Sequence, residues 1–514
     1  MEALQAALGR DFGLIADLIH LHAHASPRRP ALVDPDIQLD YGALDALMDR
    51  IAAALQRDGL RAGDAIAVCA ASGTRYAALF LGALRAGIAV APLAPSATPA
   101  SLARMTEDAQ ARILFLDATT ADTFGAPAPG DIPRVALDGS SAGRAFDAWL
   151  APEGTRPEAV TPQPSWPFNI IYSSGTTGEP KGIVQGHGMR WSHVRRGAKY
   201  EYGADTVTLL STPLYSNTTL VVFFPTLAYG GCVVLMPKFD AAAYLALAER
   251  HRVTHTMLVP VQYQRLMAHA GFDAHDLSRF RFKFSTSAPF GAALKADVLK
   301  RWPGGLVEFY GMTEGGGTCI LEAHLHPDKL HTVGRPAEGS DIRLIDDAGL
   351  EAPQGEAGEV VGHSAGMMVG YHRQPEKTRE AEWFDATGKR FIRTGDVGRF
   401  DPDGFLTLFD RKKDMIISGG FNIYPSDLEA VLRGHAAVAE AAVVGVPSEQ
   451  WGETPVAFVV RRDGHDTSAD ALLQWANAQL GKTQRLARLH LIDELPRSAI
   501  GKVLKRELRE RDAV

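Results

Sequence analysis

Residues 65–117 read AIAVCAASGTRYAALFLGALRAGIAVAPLAPSATPASLARMTEDAQARILFLD. Three short apolar runs, AIAVCA, IAVAPL and RILFLD, are separated by two stretches, RYAALFLGALRAG and ATPASLARMTEDA, whose apolar residues recur at helical spacing. Such alternation marks a parallel sheet covered by helices, since consecutive parallel strands must be joined by a crossover. Further along, FNIIYSS opens a new strand, and a second alternation runs through VTLLST, an apolar helix near Thr219, CVVLMP, AAAYLALAERH, THTMLVP and RFKFSTS. A second sheet layer is expected there. The intervening residues 140–167, rich in Pro, Gly, Ser and charge, read as a surface connection.

After Glu338 the pattern shifts to short strands with turn residues between them: DIRLIDD, GEVVGHS, KRFIRTGDVGRFDPDG and FLTLFD. From Arg411 onward come DMIIS, a Gly-Gly turn, the helix PSDLEAVLRGH, the strands VAEAAVVGV and PVAFVVR, the helix ADALLQWANAQL and a basic end. The expected fold class is α/β. A large N-terminal domain of several subdomains, residues 1–410, holds two α/β sheet layers and a small β-rich unit, and a small α+β C-terminal domain spans residues 411–514.

The chain's 514 residues are too many for one core. Apolar residues at 46% and charged residues at 22% describe a globular protein rather than a disordered one. A net charge of −7 without long single-sign runs, apart from the basic end, gives no footprint for a nucleic acid partner. Cys69, Cys232 and Cys319 cannot all pair and form no CxxC motif, which suits a reducing cytoplasm. The N-terminus lacks a basic start and an apolar core, so no signal peptide is expected. Leu220 to Met236, the most apolar window, is broken by Pro225, Gly230 and Gly231; it reads as a buried helix, a turn and a strand, not an integral membrane segment.

Residues 172–182, YSSGTTGEPKG, follow a predicted strand with three glycines, four hydroxyl side chains and one lysine. Backbone N–H groups and hydroxyls in such a loop approach phosphate oxygens closely, and Lys181 adds positive charge. Pro180 before the lysine and Gly182 after it depart from the P-loop pattern. In FYGMTE, Gly311 permits close approach of a planar ring beside Tyr310, Thr313 offers a hydroxyl, and Glu314 an oxygen ligand for a hard cation. In RTGDVG, Asp396 can accept hydrogen bonds from two vicinal hydroxyls.

These segments, in order with residues 410–429 (DRKKDMIISGGFNIYPSDLE) and 496–502 (PRSAIGK), resemble the acyl-adenylate-forming superfamily of acyl-CoA synthetases, luciferases and peptide-synthetase adenylation domains. The resemblance covers nearly the whole chain. It implies an ATP-dependent acid-thiol ligase that uses ATP, Mg2+ and coenzyme A. Under it, Ser173, Ser174, Gly175, Thr176, Thr177, Gly178 and Lys181 cradle phosphates. Tyr310 and Gly311 take adenine, and Thr313 and Glu314 take the α-phosphate and magnesium. Asp396 takes the ribose, Arg411 adds a second ribose or phosphate contact, and Lys502 contacts the carboxylate and α-phosphate during adenylation. A hinge is implied at Lys413, where many relatives carry aspartate, with Gly419 and Gly420 turned to the acceptor thiol in a second state.

The resemblance also places an acyl pocket at residues 213–220 (PLYSNTTL) and 285–291 (STSAPFG), making Tyr215, Ser216, Asn217, Thr286, Ser287 and Gly316 its candidate lining. Ser216 stands where many acyl-CoA synthetases have histidine. Without a basic residue in these segments to meet a second carboxylate, a hydrophobic monocarboxylate is expected: aromatic, alicyclic, or short-to-medium chain. Loading of a carrier protein and a luciferase-like oxygenase share every nucleotide motif and stay open, as does a homodimer. His20, His22 and His24 at alternate positions of a predicted helix are expected to scatter around its surface. Met367 and Met368 read as core.

Overall fold

The computed structural model describes residues 2–125, 131–173, 181–411, 414–418, 421–448, 451–481, 484–498 and 501–512. The chain forms two compact units. The first comprises residues 1–330, 336–341 and 362–392, and the second residues 331–335, 342–361 and 393–514.

In the first unit the opening stretch folds as its periodicity dictates. Strands Ala65–Cys69, Ala89–Pro92 and Ala111–Leu116 run parallel, joined through helices Thr74–Arg85 and Pro99–Asp108. Thr98 caps the second helix by accepting from the Ser101 N–H, with Pro99 at the first turn where its missing donor is harmless. This sheet has the order Gly370–Tyr371, Lys181–Gly186, Pro167–Ser173, Ala89–Pro92, Ala65–Cys69, Ala111–Leu116, Arg134–Ala136 and Arg144–Ala145. A second sheet places Gly315–Glu322, Gly305–Met312, Phe282–Ser285, His255–Leu258, Val207–Leu210, Cys232–Leu235, Pro30–Val33 and Gln38–Asp40 side by side. Helices Thr74–Arg85 and Asn217–Ala228 pack into a shared core, where the rings of Phe80, Phe168 and Phe224 meet edge-on or tilted at 4.9–6.1 Å. The apolar window is a helix that continues through Pro225, a turn at Gly230 (φ +84°) and strand Cys232–Leu235, the break falling at its glycines.

Two expectations need correction. The connection at 140–167 contains the one-turn helix Phe146–Trp149, whose Phe146 and Trp149 are buried; Trp149 lies 5.0 Å from Phe115 and donates its indole N–H to Asp58 at 2.7 Å. The Pro/Gly-rich composition hid two aromatic anchors. The histidines are not scattered either. On helix Ile15–Ala25, His22 is buried and its Nε2 donates to the Ala228 carbonyl at 2.9 Å. His20 and His24, one turn apart, bring their Nε2 atoms to 3.1 Å, while Nδ1 of His20 faces Asp45 at 2.9 Å. Met368 is buried and Met367 packs against the same cluster.

Burial also governs the thiols. Cys69 and Cys319 are buried and Cys232 partly so. Loss of solvent pushes the Cys69 and Cys232 thiols up to about 12 and that of Cys319 higher still. Among the described residues no helix is long and apolar enough to cross a membrane.

In the second unit, residues 396–400 pair antiparallel with strand Leu406–Arg411. A further sheet sets Phe421–Ile423, Ile416–Ser418, Gly452–Arg461 and Val438–Ser448 in order, with Arg488–Leu491 parallel to Gly452–Arg461. Helices Pro425–Arg433 and Ala469–Gln479 bury Leu428, Leu432 and Leu472 in a core with Val443 and Val459.

Candidate active site

The phosphate-loop motif springs from a hairpin. Strands Pro167–Ser173 and Lys181–Gly186 are antiparallel with Ser173 opposite Lys181, so the ends of the motif are held together by a ladder. Ser174, Gly175, Thr176, Thr177 and Gly178 lie outside the described residues, and Ser173 is placed by its backbone pairing. The Lys181 ammonium stands 5.1 Å from the centroid of the Tyr371 ring, and the Tyr371 hydroxyl donates to Glu314 Oε1 at 2.9 Å. Burial first, and then the Glu314 charge, push the Tyr371 phenol up, which keeps it a donor. Tyr371 thereby ties the basic edge of the loop to the acidic residue of FYGMTE. No motif flags this tyrosine in the sequence, because the chain between residues 182 and 371 must fold before it arrives.

Thr313 and Glu314 occupy the tip between the antiparallel strands Gly305–Met312 and Gly315–Glu322. Tyr310 is opposite Cys319, and the register slips between Tyr310 and Met312, at Gly311. Gly315 (φ +79°) has no room for a side chain: a Cβ there would lie 1.9 Å from the Gly366 carbonyl oxygen. At Gly316 (φ +83°) it would meet the Gly362 carbonyl at 3.0 Å and Ile392 at 3.2 Å. These two glycines therefore answer to close packing against residues 362, 366 and 392. The carbonyls at the tip are also fixed. Thr313 accepts from Gln185 at 2.7 Å, and Glu314 accepts from the Met368 N–H at 2.8 Å. Glu308, at the start of the same motif, is buried against the equally buried Lys295 at 2.5 Å, a pair the sequence does not announce.

The two segments expected to line an acyl pocket touch. Thr218 and Ser287 share a hydrogen bond of 2.6 Å between hydroxyls. Ser216 is buried and caps helix Asn217–Ala228, its Oγ accepting from the Thr218 N–H at 3.3 Å. Tyr215 sits partly buried with its phenol pushed up by loss of solvent, Thr286 is half-buried, and Asn217 Oδ1 accepts from Gln185 and Arg190. Ser287 adopts φ +80°, a left-handed conformation costing a non-glycine residue about 1 kcal/mol or more.

In the second unit Asp396 is paired across the ladder with Arg411, and its N–H donates to the Thr394 hydroxyl at 3.0 Å. Arg393 forks onto the buried carboxylate of Glu359, with contacts of 3.1 and 2.5 Å. The conspicuous arginine of RTGDVG is thus a structural anchor. At Lys502 the carbonyl accepts from the Ser498 N–H at 2.8 Å, Gly501 has φ +76°, and Arg497 links the Gly501 carbonyl to Glu440 at 2.8 and 2.6 Å. Lys413, Gly419 and Gly420 lie outside the described residues.

Comparison with known proteins decides the family. Residues 19–372 match the model described as AMP-binding enzyme, and residues 427–502 match AMP-binding enzyme C-terminal domain. The chain belongs to the AMP-binding enzyme family. Within this adenylate-forming superfamily it is 34% identical over 503 residues to a feruloyl-CoA synthase of Amycolatopsis sp, covering 95% of this chain and 97% of the relative. It is 32% identical to the fatty acid–[acyl-carrier-protein] ligase ScoC of Streptomyces coeruleorubidus, covering 95% of each. The fold matches that of the amide bond synthetase McbA from Marinactinospora thermotolerans with a TM-score of 0.85 at 30% identity, covering 97% of this chain and 99% of that one. The match bears out the α/β class and the large and small domain pattern of these ligases.

Proposed function

We propose that the chain is an ATP-dependent acid-thiol ligase: it converts a hydrophobic monocarboxylate (aromatic, alicyclic or of short-to-medium chain) to acyl-AMP with release of pyrophosphate, then forms acyl-CoA. The observation that carries this reading is the linked set Lys181, Tyr371 and Glu314, cation and carboxylate held together by one phenol at the mouth of the phosphate-loop hairpin. A carboxylate is a poor electrophile and repels the triphosphate it must attack, so cationic groups must serve both partners.

The residues at Glu314 fit a magnesium ion. The Tyr371 hydroxyl orients the Glu314 carboxylate at the strand-to-strand tip, with the Lys181 ammonium against the same ring. A single protein carboxylate completed by phosphate oxygens is the usual environment of Mg2+. When bound there the ion would neutralise phosphate charge. Lys181 and the phosphate loop orient the triphosphate, while Tyr310 and Gly311 receive adenine. Asp396 holds the ribose, Arg411 adds a ribose or phosphate contact, and Lys502 meets the carboxylate and α-phosphate. Positioning supplies most of the acceleration, because displacement at phosphorus needs little covalent help.

The domain assignment belongs to the same reading: residues 1–410 bind nucleotide and acid, and residues 411–514 carry Lys502 and turn about Lys413 to offer Gly419 and Gly420 to the thiol. Tyr215, Ser216, Asn217, Thr286, Ser287 and Gly316 are the assigned acyl lining. The protein acts in the cytoplasm. ScoC is named as a ligase for an acyl-carrier protein and McbA as an amide bond synthetase, so coenzyme A, a carrier and an amine are each tested as acceptor. The test is pyrophosphate release from Mg-ATP over a panel of benzoates, cinnamates, alicyclic acids and fatty acids, with coenzyme A, a phosphopantetheinyl carrier or an amine present in turn. Thioester formed only with coenzyme A supports the reading; pyrophosphate without acyl-CoA, or no pyrophosphate from any acid, overturns it.

A further inference from the structure

Arg190, on helix His187–Arg196, is fully buried and has no carboxylate partner among the described residues. Burial lowers its guanidinium to about 9, so it remains charged at neutral pH. Its surroundings are three neutral amides and two rings. Nε and Nη2 donate to Asn169 Oδ1 at 3.0 and 2.9 Å, Nη1 donates to Asn217 Oδ1 at 2.8 Å, and Nη2 also donates to Gln185 Oε1. The rings of Phe168 and Phe224 lie 5.8 and 5.9 Å away. A buried charge paired only with dipoles is expensive, and apolar side chains of similar size would fill the same space. Stability therefore gives no reason for this arrangement.

Its wiring gives one. Asn169 and Gln185 are directly opposite each other on the two strands that flank the phosphate-loop motif. Asn169 Nδ2 donates to Gln185 Oε1 at 2.9 Å, so two donors, Asn169 and Arg190, fix which end of the Gln185 amide is oxygen. Its Nε2 must then face the other way, where it donates to the Thr313 carbonyl at 2.7 Å and to Asn217 Oδ1 at 3.3 Å. One cation thereby orients one amide, and that amide joins the FYGMTE tip to the start of the segment 217–228 helix. Gln185, Asn169 and Arg190 are each 0% exposed, so water cannot substitute for a lost partner.

We propose that Arg190 and Gln185 are positioning residues for adenylate formation, with Arg190 fixing the Gln185 amide so that it holds the Thr313 carbonyl and Asn217 in register with the phosphate-loop hairpin. The inference rests on the ligase reading given above. The discriminating variant is Gln185→Glu, which preserves size and gives Arg190 a carboxylate partner, yet replaces the N–H that binds Thr313 with an oxygen. Gln185→Met keeps the length and removes every hydrogen bond.

Both are compared with wild type by thermal midpoint and by pyrophosphate release, using Mg-ATP and whichever acid of the panel wild type turns over fastest. The expected result for Gln185→Glu is a thermal midpoint at or above wild type with kcat for pyrophosphate release down about 100-fold, the scale of a misplaced reacting group. KM for the acid should rise by less than about tenfold, through the loosened Asn217 of the assigned acyl lining, so that kcat carries most of the loss. If either variant folds and keeps wild-type kcat, the positioning role is overturned. Should Gln185→Glu fail to fold, Gln185→Met decides by the same two readouts. Wild type that releases no pyrophosphate with any acid overturns the ligase reading itself, a result independent of the variants.

Discussion

The hydroxyl of Tyr371 donates to Glu314 at 2.9 Å across 57 residues of chain. A hydrogen bond to a charged acceptor is worth about 1.5–3 kcal/mol net, so Tyr371→Phe should weaken the use of Mg-ATP by about tenfold or more in kcat/KM. The ring and its contact with Lys181 survive this change, and the thermal midpoint should fall only by what the lost hydrogen bond contributes. Titrating Mg2+ at fixed ATP checks the cause: the variant should need more of the ion for half-maximal rate, and an unchanged requirement would detach Tyr371 from the metal.

Lys502 is assigned to the first half-reaction alone. Lys502→Ala should slow adenylate formation about 100-fold or more, as loss of a donor aimed at developing charge does elsewhere. Thioester formation from supplied acyl-AMP and coenzyme A should stay within a few fold of wild type. Equal loss in both assays would refute a rotation that withdraws this lysine between steps.

Backbone strain at Ser287 makes a paired prediction. Ser287→Ala and Ser287→Gly both lose the hydroxyl contact with Thr218, but only glycine tolerates φ +80° freely. The glycine variant should be the more stable by about 1 kcal/mol in denaturant titration. If alanine equals glycine, the backbone at this position is relaxed.

Two buried histidines set an acid limit. Burial depresses His187 and His255 from 6.5 to about 4, so both are neutral in the folded chain, while the unfolded chain takes up protons below pH 6.5. Their contribution is complete above pH 6.5 and is lost as pH falls toward 4. For each group the full effect is on the order of 3 kcal/mol. The thermal midpoint should drop across this window, and His255→Gln should flatten the slope. A slope identical to wild type would show that His255 does not titrate there.

Sequence reading carried far where chemistry is local. The alternation at residues 65–117 specified parallel strands because apolar spacing and crossover length leave few other solutions. Partnerships over long separations were invisible. Nothing in RTGDVG says that Arg393 is taken by Glu359, nor in the glycine run after Glu314 that the chain at Gly366 crosses against it. The buried Arg190 is the sharpest case. In the sequence it is one arginine on a helix among His187, His193, Arg195 and Arg196, indistinguishable from a solvated charge until the strands place Asn169 and Gln185 around it.

The three native thiols, withdrawn from solvent and resistant to ionisation, leave the chain a quiet background for sulfur chemistry. Maleimide dyes should react slowly with wild type at neutral pH, so a single engineered cysteine in either unit could be labelled over little background. The same silence favours a disulfide reagent for testing the proposed consumption of free coenzyme A, since the chain's own thiols add little to the signal.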